Sequence, residues 1–248
     1  MSKSTINTTV NYSPNFDLKK RKLSQIKFII FHYTGMRKEN EAIKKLTNLK
    51  SKVSCHYFIK NSGEILNLVP DTYIAWHAGI SFWKNYKSIN KFSIGIEISN
   101  PGHEFYYKNF SKKQINSTFI LSKFLIKKYK IRPKFILGHS DIAPYRKKDP
   151  GEKFPWKFLS KNKIGLWHSL ENKKILKERN VKINILNKII FVNNLNKIGY
   201  DTKKIKKNNK YLKLVTKAFQ RRFRQKLING IIDKECLLIS ENLVKKLK

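Results

Sequence analysis

Phe135-Ile136-Leu137-Gly138-His139-Ser140-Asp141-Ile142-Ala143-Pro144-Tyr145-Arg146-Lys147-Lys148-Asp149-Pro150-Gly151 is the stretch on which the reading of this chain turns. Its first three residues form an apolar run that reads as a buried strand, and His139 follows just past the end of that strand, where a side chain can project into a cleft from a rigid base. Asp149 comes ten residues later (149 − 139), in an Asp-Pro-Gly turn. A catalytic zinc usually takes three protein ligands from His, Cys or carboxylate and keeps a fourth position open, so one further ligand is wanted. His32 is the candidate, because it ends a second apolar run, Phe28-Ile29-Ile30-Phe31. A single His at a strand end is most often a hydrogen-bonded structural residue, and Asp before Pro-Gly is ordinary turn chemistry; against that reading stands the co-occurrence of His32, His139 and Asp149.

Working outward, residues 93–98 alternate strictly: Ile94, Ile96 and Ile98 fall on one face of a strand, with Gly95 and Glu97 on the other. A carboxylate inside such a run is costly to bury alone and is usually paired or functional, so Glu97 is a candidate general base. Residues 40–50 have the apolar spacing of a helix. Residues 55–59 and 65–69 flank a turn-like segment and predict an antiparallel hairpin. Residues 116–130 predict a second helix, broken by Arg132-Pro133. Strands alternating with helices predict an α/β fold with a central mixed sheet flanked by helices.

Several blocks stand in one order: Phe31-His32-Tyr33-Thr34-Gly35-Met36, Val53-Ser54-Cys55-His56-Tyr57-Phe58-Ile59, Ala75-Trp76-His77-Ala78-Gly79, Ser93-Ile94-Gly95-Ile96-Glu97-Ile98 and the Gly138 to Gly151 loop. From about residue 15 to residue 167 the chain resembles the zinc-dependent N-acetylmuramoyl-L-alanine amidases of the peptidoglycan-recognition fold. The resemblance implies that His32, His139 and Asp149 bind Zn2+, that Glu97 and Lys147 serve catalysis, and that Trp76, His77 and Ala78 line the substrate cleft. In relatives the third ligand can be Cys; here Asp149 stands at that place, and Cys55 is not needed. Only the resemblance singles out Lys147 from the lysines around it, as a cation aimed at the developing oxyanion. His56, on an apolar strand, reads as a packing residue or one that supports the site from behind, and His103 and His168 carry no readable signal.

With 54 Lys+Arg against 16 Asp+Glu the formal charge is +38. That balance suggests polyanions, but lysine is spread through the whole chain and no nucleic-acid motif interrupts it, so specific nucleic-acid binding is not expected. A peptidoglycan strand with its peptide carboxylates, or an anhydro-muropeptide, is an equally suitable partner. Two cysteines, Cys55 and Cys236, read as buried thiols and not as a disulfide framework. No apolar run approaches the ~18 residues of a membrane span, and the first 22 residues are polar, which leads to an expected cytoplasmic location, the periplasm or cell envelope being the alternative.

At 248 residues the chain has room for a sizeable core and a smaller module. The reading is an N-terminal extension at 1–22, a catalytic domain at 23–170, a charged linker at 171–182 and a three-helix domain at 183–248. Residues 185–198 predict a helix closed by Gly199; Tyr211, Leu214, Val215, Ala218 and Phe219 form an amphipathic stripe; Asn229-Gly230 marks a turn before a last helix at 231–247. These segments resemble the helical peptidoglycan-binding module often joined to such amidases, with Lys203-Lys204-Ile205-Lys206-Lys207 where the module usually has an acidic, Gly-rich loop. The expected activity is zinc-dependent hydrolysis of the amide between N-acetylmuramic acid and L-alanine. The alternatives are a non-catalytic peptidoglycan receptor on the same fold, which would lack ligands, and a basic polyanion-binding protein. Oligomeric state is not legible.

Overall fold

The computed structural model describes residues 6–247, apart from the side chains of Lys206 and Lys207. Of the N-terminal extension expected at 1–22, residues 1–5 lie outside the described residues; the rest is no separate extension, because residues 9–10 pair with residues 66–67 at the edge of the main sheet and residues 16–17 pair with residues 74–75. Ten strands occur in the order β1 (Thr9–Val10), β2 (Phe16–Asp17), β3 (Phe28–Tyr33), β4 (Tyr57–Ile59), β5 (Ile65–Asn67), β6 (Ile74–Ala75), β7 (Phe82–Trp83), β8 (Tyr86–Lys87), β9 (Ser93–Ile98) and β10 (Ile136–Gly138). The helices are α1 (Glu39–Thr47), α2 (Lys112–Tyr129), α3 (His139–Ile142), α4 (Trp156–Lys161), α5 (Asn172–Lys177), α6 (Ile185–Ile198), α7 (Asn209–Phe223) and α8 (Lys234–Lys245).

The main sheet has the order β1-β5-β4-β9-β3-β10 and is mixed: β4 and β5 are antiparallel and every other pairing is parallel. The uninterrupted apolar run of β3 follows from its place between β9 and β10, since an inner parallel strand is covered on both faces. Register then sets the site. His32 pairs with Glu97, and Phe31 pairs with Gly138, so β10 ends beside His32 and the chain turns directly into His139. Neighbours paired in register share a face, which brings His32 and Glu97 to the same side of the sheet.

On that side α1 covers a small cluster of Ala42, Leu46, Cys55, Phe58, Leu66 and Leu68. The isoleucines of β9 face the larger core with Leu121 and Leu125 of α2. α2 begins four residues earlier than its apolar spacing predicts, because the Ser111 hydroxyl accepts from the Gln114 amide and the Gln114 side chain returns to the Ser111 N–H. The expected linker contains α5, and the last helix is shortened to α8 because Asp233 caps it by accepting from the Cys236 amide.

The large core is continuous from the sheet into the C-terminal helices: Phe28, Ile94 and Trp156 belong to the same buried cluster as Phe191, Leu195, Val215, Phe219 and Leu243. A buried polar clamp crosses the same boundary. Arg222 of α7 pairs with Asp141 of α3 and donates to the Ile136 carbonyl at 2.9 Å, while the Tyr200 hydroxyl donates to Asp141 at 2.7 Å. The helical unit therefore packs as part of one body with the sheet. Among the described residues no helix is long and apolar enough to cross a membrane.

Candidate active site

Three side chains far apart in sequence meet at the C-terminal edge of β3 and β10. His32 Nδ1, His139 Nδ1 and Asp149 Oδ2 lie 3.0 Å from one another in all three pairings. All three residues are buried, and among the described residues they form the one His/Cys/Asp/Glu group able to hold a metal ion. The chemistry of this donor set fits zinc, whose ligands are imidazole nitrogens and carboxylate oxygens. The spacing fits as well, being close to the ~3.3 Å edge of a tetrahedron with bonds of about 2.0 Å. His139 presents its Nδ1 because its other nitrogen, Nε2, donates to the Ala78 carbonyl at 3.1 Å, the kind of outer bond that orients a ligating imidazole. Cys55 is buried in the cluster under α1 and belongs to no ligand set.

Electrostatics agree with this arrangement. Burial, together with the nearby His139, pushes His32 down to about 4, against the pull of Asp149, so the imidazole is neutral and available as a donor. Burial alone would raise the Asp149 carboxyl, but charge and hydrogen bonding from His139 and His32 outweigh it and hold the carboxyl well below its ordinary range.

Glu97 approaches from the neighbouring strand, its Oε1 4.0 Å from His32 Nδ1 and its side chain 14 % exposed. Its Oε2 is buried without a hydrogen-bond donor among the described residues. Burial and the charge of Asp149 raise its carboxyl well above the usual glutamate value, with Lys147 and Lys45 opposing. An acid so placed is suited to take up and release a proton in the cleft. Lys147 is half-buried on the loop between α3 and Asp149 and lines the same cleft, a space of 380 Å³ bordered also by Tyr33, Trp76, His77, His103 and Arg146.

Of the three residues expected to contact substrate, Trp76 and His77 border the cleft. Ala78 is wholly buried and contributes its carbonyl to His139. His77 uses both ring nitrogens inside the protein, on His32 and on Ser93. Sequence reasoning passed over Arg146, which binds the carbonyls of Ala78 and Ile80 and so clamps the 78–80 turn beside the donor triangle. No local sequence pattern marks this contact: the fold brings Gly79, where a Cβ would lie 3.1 Å from the guanidinium, against Arg146. Sequence reasoning also gave no role to His103, which accepts from the Tyr33 hydroxyl at 2.9 Å while its other nitrogen contacts Glu152 at 3.0 Å. His56 is a packing residue as expected: it is fully buried, its Nδ1 accepting from the Gly95 amide at 3.0 Å.

A mixed sheet with a buried donor triangle at its parallel strand ends, and an acid and a lysine lining the cleft beside it, has the parts of a hydrolytic site. The chain belongs to the N-acetylmuramoyl-L-alanine amidase family, whose model matches residues 22–152. It is 33 % identical over 235 residues to the N-acetylmuramoyl-L-alanine amidase AmiD of Escherichia coli K12, covering 90 % of this chain and 83 % of that one. It is 39 % identical over 105 residues to the 1,6-anhydro-N-acetylmuramyl-L-alanine amidase AmpD of the same organism, covering 42 % of this chain and 55 % of that one. The structure of AmiD in complex with anhydro-N-acetylmuramic acid-L-Ala-D-gamma-Glu-L-Lys superposes with a TM-score of 0.80, over 90 % of each chain. That of AmpDh3 from Pseudomonas aeruginosa with an anhydromuramic pentapeptide gives 0.77 at 28 % identity, over 100 % of this chain and 98 % of that one. Both of these likenesses extend through the C-terminal helices as well as the sheet.

Proposed function

We propose that this amidase is zinc-dependent, with His32, His139 and Asp149 as the ligands, and that its substrates are peptidoglycan fragments of the anhydro-muropeptide kind. The scissile bond is the amide between the lactyl group of N-acetylmuramic acid and the L-alanine of the stem peptide. The observation that carries the reading is the buried triangle of two imidazole nitrogens and one carboxylate oxygen, each pair 3.0 Å apart, next to an acid with a raised pKa. When bound there, zinc supplies Lewis-acid polarisation of the carbonyl and lowers the pKa of water toward about 7.

The remaining steps belong to the chain. Glu97 accepts the proton of the attacking water on Oε1, the oxygen beside the donor triangle, and returns it to the leaving amine, which a carboxyl of raised pKa can do in both directions. Lys147 places its ammonium toward the negative charge that develops on the amide oxygen. Lys45, Arg146 and Lys148 add positive charge to the cleft wall and attract the carboxylates of the stem peptide. A peptidoglycan receptor without catalysis would need neither the complete donor set nor an acid buried beside it.

The test is incubation of the purified protein with anhydro-muropeptides, with and without a chelator, and identification of products by mass. Release of free stem peptide that stops with chelator and returns with zinc supports the reading. Cleavage that ignores the chelator, or the absence of cleavage with zinc present, refutes it.

A further inference from the structure

The mechanism above leaves two buried polar side chains beneath the metal site without a task, His77 and Ser93. They form a line that ends on His32. The Ser93 hydroxyl lies 2.8 Å from the Ile89 carbonyl and 3.0 Å from His77 Nε2. A hydroxyl has one hydrogen; donated to the carbonyl, it leaves Ser93 only an acceptor toward His77, so Nε2 of His77 carries the ring proton. His77 Nδ1 is then a bare acceptor, 3.0 Å from His32 Nε2. That contact requires the proton on Nε2 of His32 and leaves its Nδ1 as a lone pair, directed at His139 and Asp149. In the opposite arrangement Ser93 gives up the Ile89 carbonyl and every proton along the line moves one place, putting a hydrogen on His32 Nδ1 where it blocks ligation.

A second, independent observation concerns space. A Cβ at Gly95 would lie 2.4 Å from His77 Cγ and 2.5 Å from Cδ2, so the imidazole occupies room that only glycine leaves on β9. Ser93, Gly95 and Glu97 are alternate residues on one face of that strand.

We propose that His77 and Ser93 are positioning residues that hold His32 as its Nε2–H tautomer, with Gly95 providing the seat for the His77 ring. One face of β9 thereby serves the site three times: Ser93 fixes His77, Gly95 makes room for it, and Glu97 faces the cleft. This inference rests on the reading of His32 as a ligand.

The test measures zinc affinity by competition with a chromophoric chelator in Ser93→Ala, His77→Phe, His77→Gln and His32→Ala, with the imidazole tautomer of His32 followed by ¹⁵N NMR. Loss of an outer-shell partner is typically worth about 10–100-fold in metal affinity. Ser93→Ala and His77→Phe are expected to lose that much, His77→Gln to recover part of it because its amide oxygen can accept from His32, and the NMR signature to move from a single Nε2–H form toward a mixture. His77→Phe keeps a ring in the Gly95 seat, so a merely structural role predicts no loss there. If Ser93→Ala and His77→Phe both bind zinc within twofold of the parent while His32→Ala does not, the inference falls and the ligand assignment stands. If His32→Ala itself keeps full zinc, the ligand reading falls with it.

Discussion

Replacing Arg222 by Met tests whether the C-terminal helices and the sheet form one cooperative body. Arg222 and Asp141 are 3 % and 1 % exposed in their side chains. Arg222 lies with its guanidinium 4.0 Å from the centre of the Trp156 ring and donates to the Ile136 carbonyl. Met keeps the apolar stem against Trp156, so the change isolates the charge. Asp141 would retain the Tyr200 hydroxyl at 2.7 Å and the Gly138 amide at 2.8 Å but lose its counter-ion. Removing one partner of a buried pair typically costs about 3–5 kcal/mol, and the stranded Ile136 carbonyl acts in the same direction. A chain of this size loses roughly 2–4 °C of Tm per kcal/mol, so a fall of about 6–20 °C is expected at fixed zinc concentration, since bound metal shifts the midpoint. Asp141→Asn added to Arg222→Met should restore part of the loss, because no uncompensated charge remains. The measurement is urea and thermal unfolding followed by far-UV circular dichroism and by tryptophan fluorescence. The reasoning is refuted by a loss under about 1 kcal/mol, by a double variant no more stable than the single one, or by separate transitions for sheet and helices.

Asp149→Ala should abolish stoichiometric zinc in metal analysis, because two imidazoles alone do not complete the donor triangle; retention of one equivalent would remove Asp149 from the ligand set. Glu97→Gln and Lys147→Ala should keep zinc but lower turnover by about 10²–10³ each, and wild-type turnover in either would end that residue's assigned role. Glu97 acts as a base only when ionised, and burial with the Asp149 charge raises its pKa; the acid limb of kcat/KM should therefore lie above the ~4.3 of a free glutamate, and a limb at or below it would contradict the geometry. Burial pushes the Cys236 thiol up to about 12 and Cys55 well above its ordinary value, so neither should react with a thiol reagent in the native protein at neutral pH, whereas urea should expose both.

What local chemistry encodes was legible in the sequence. The apolar run of β3 and the alternation of β9 both announce strands through side-chain periodicity alone, although the two are equally buried in the fold, and each residue of the donor triangle sits at or near the end of a strand or in a turn, positions recognisable without a fold. The spaced blocks added a family and, through it, one lysine among many. The beginning of α2 was missed although Ser111 and Gln114 spell a capping box, because the apolar spacing starts later. Tertiary structure alone decided the rest. His77 borders the cleft, and the fold alone bonds its two nitrogens to partners 45 and 16 residues away in sequence. Arg222 reaches Asp141 across 81 residues and joins what the composition shift divides into domain, linker and module. Periodicity reports which way a side chain faces, not which distant group it finds there, and a proton's place on an imidazole depends on that second fact.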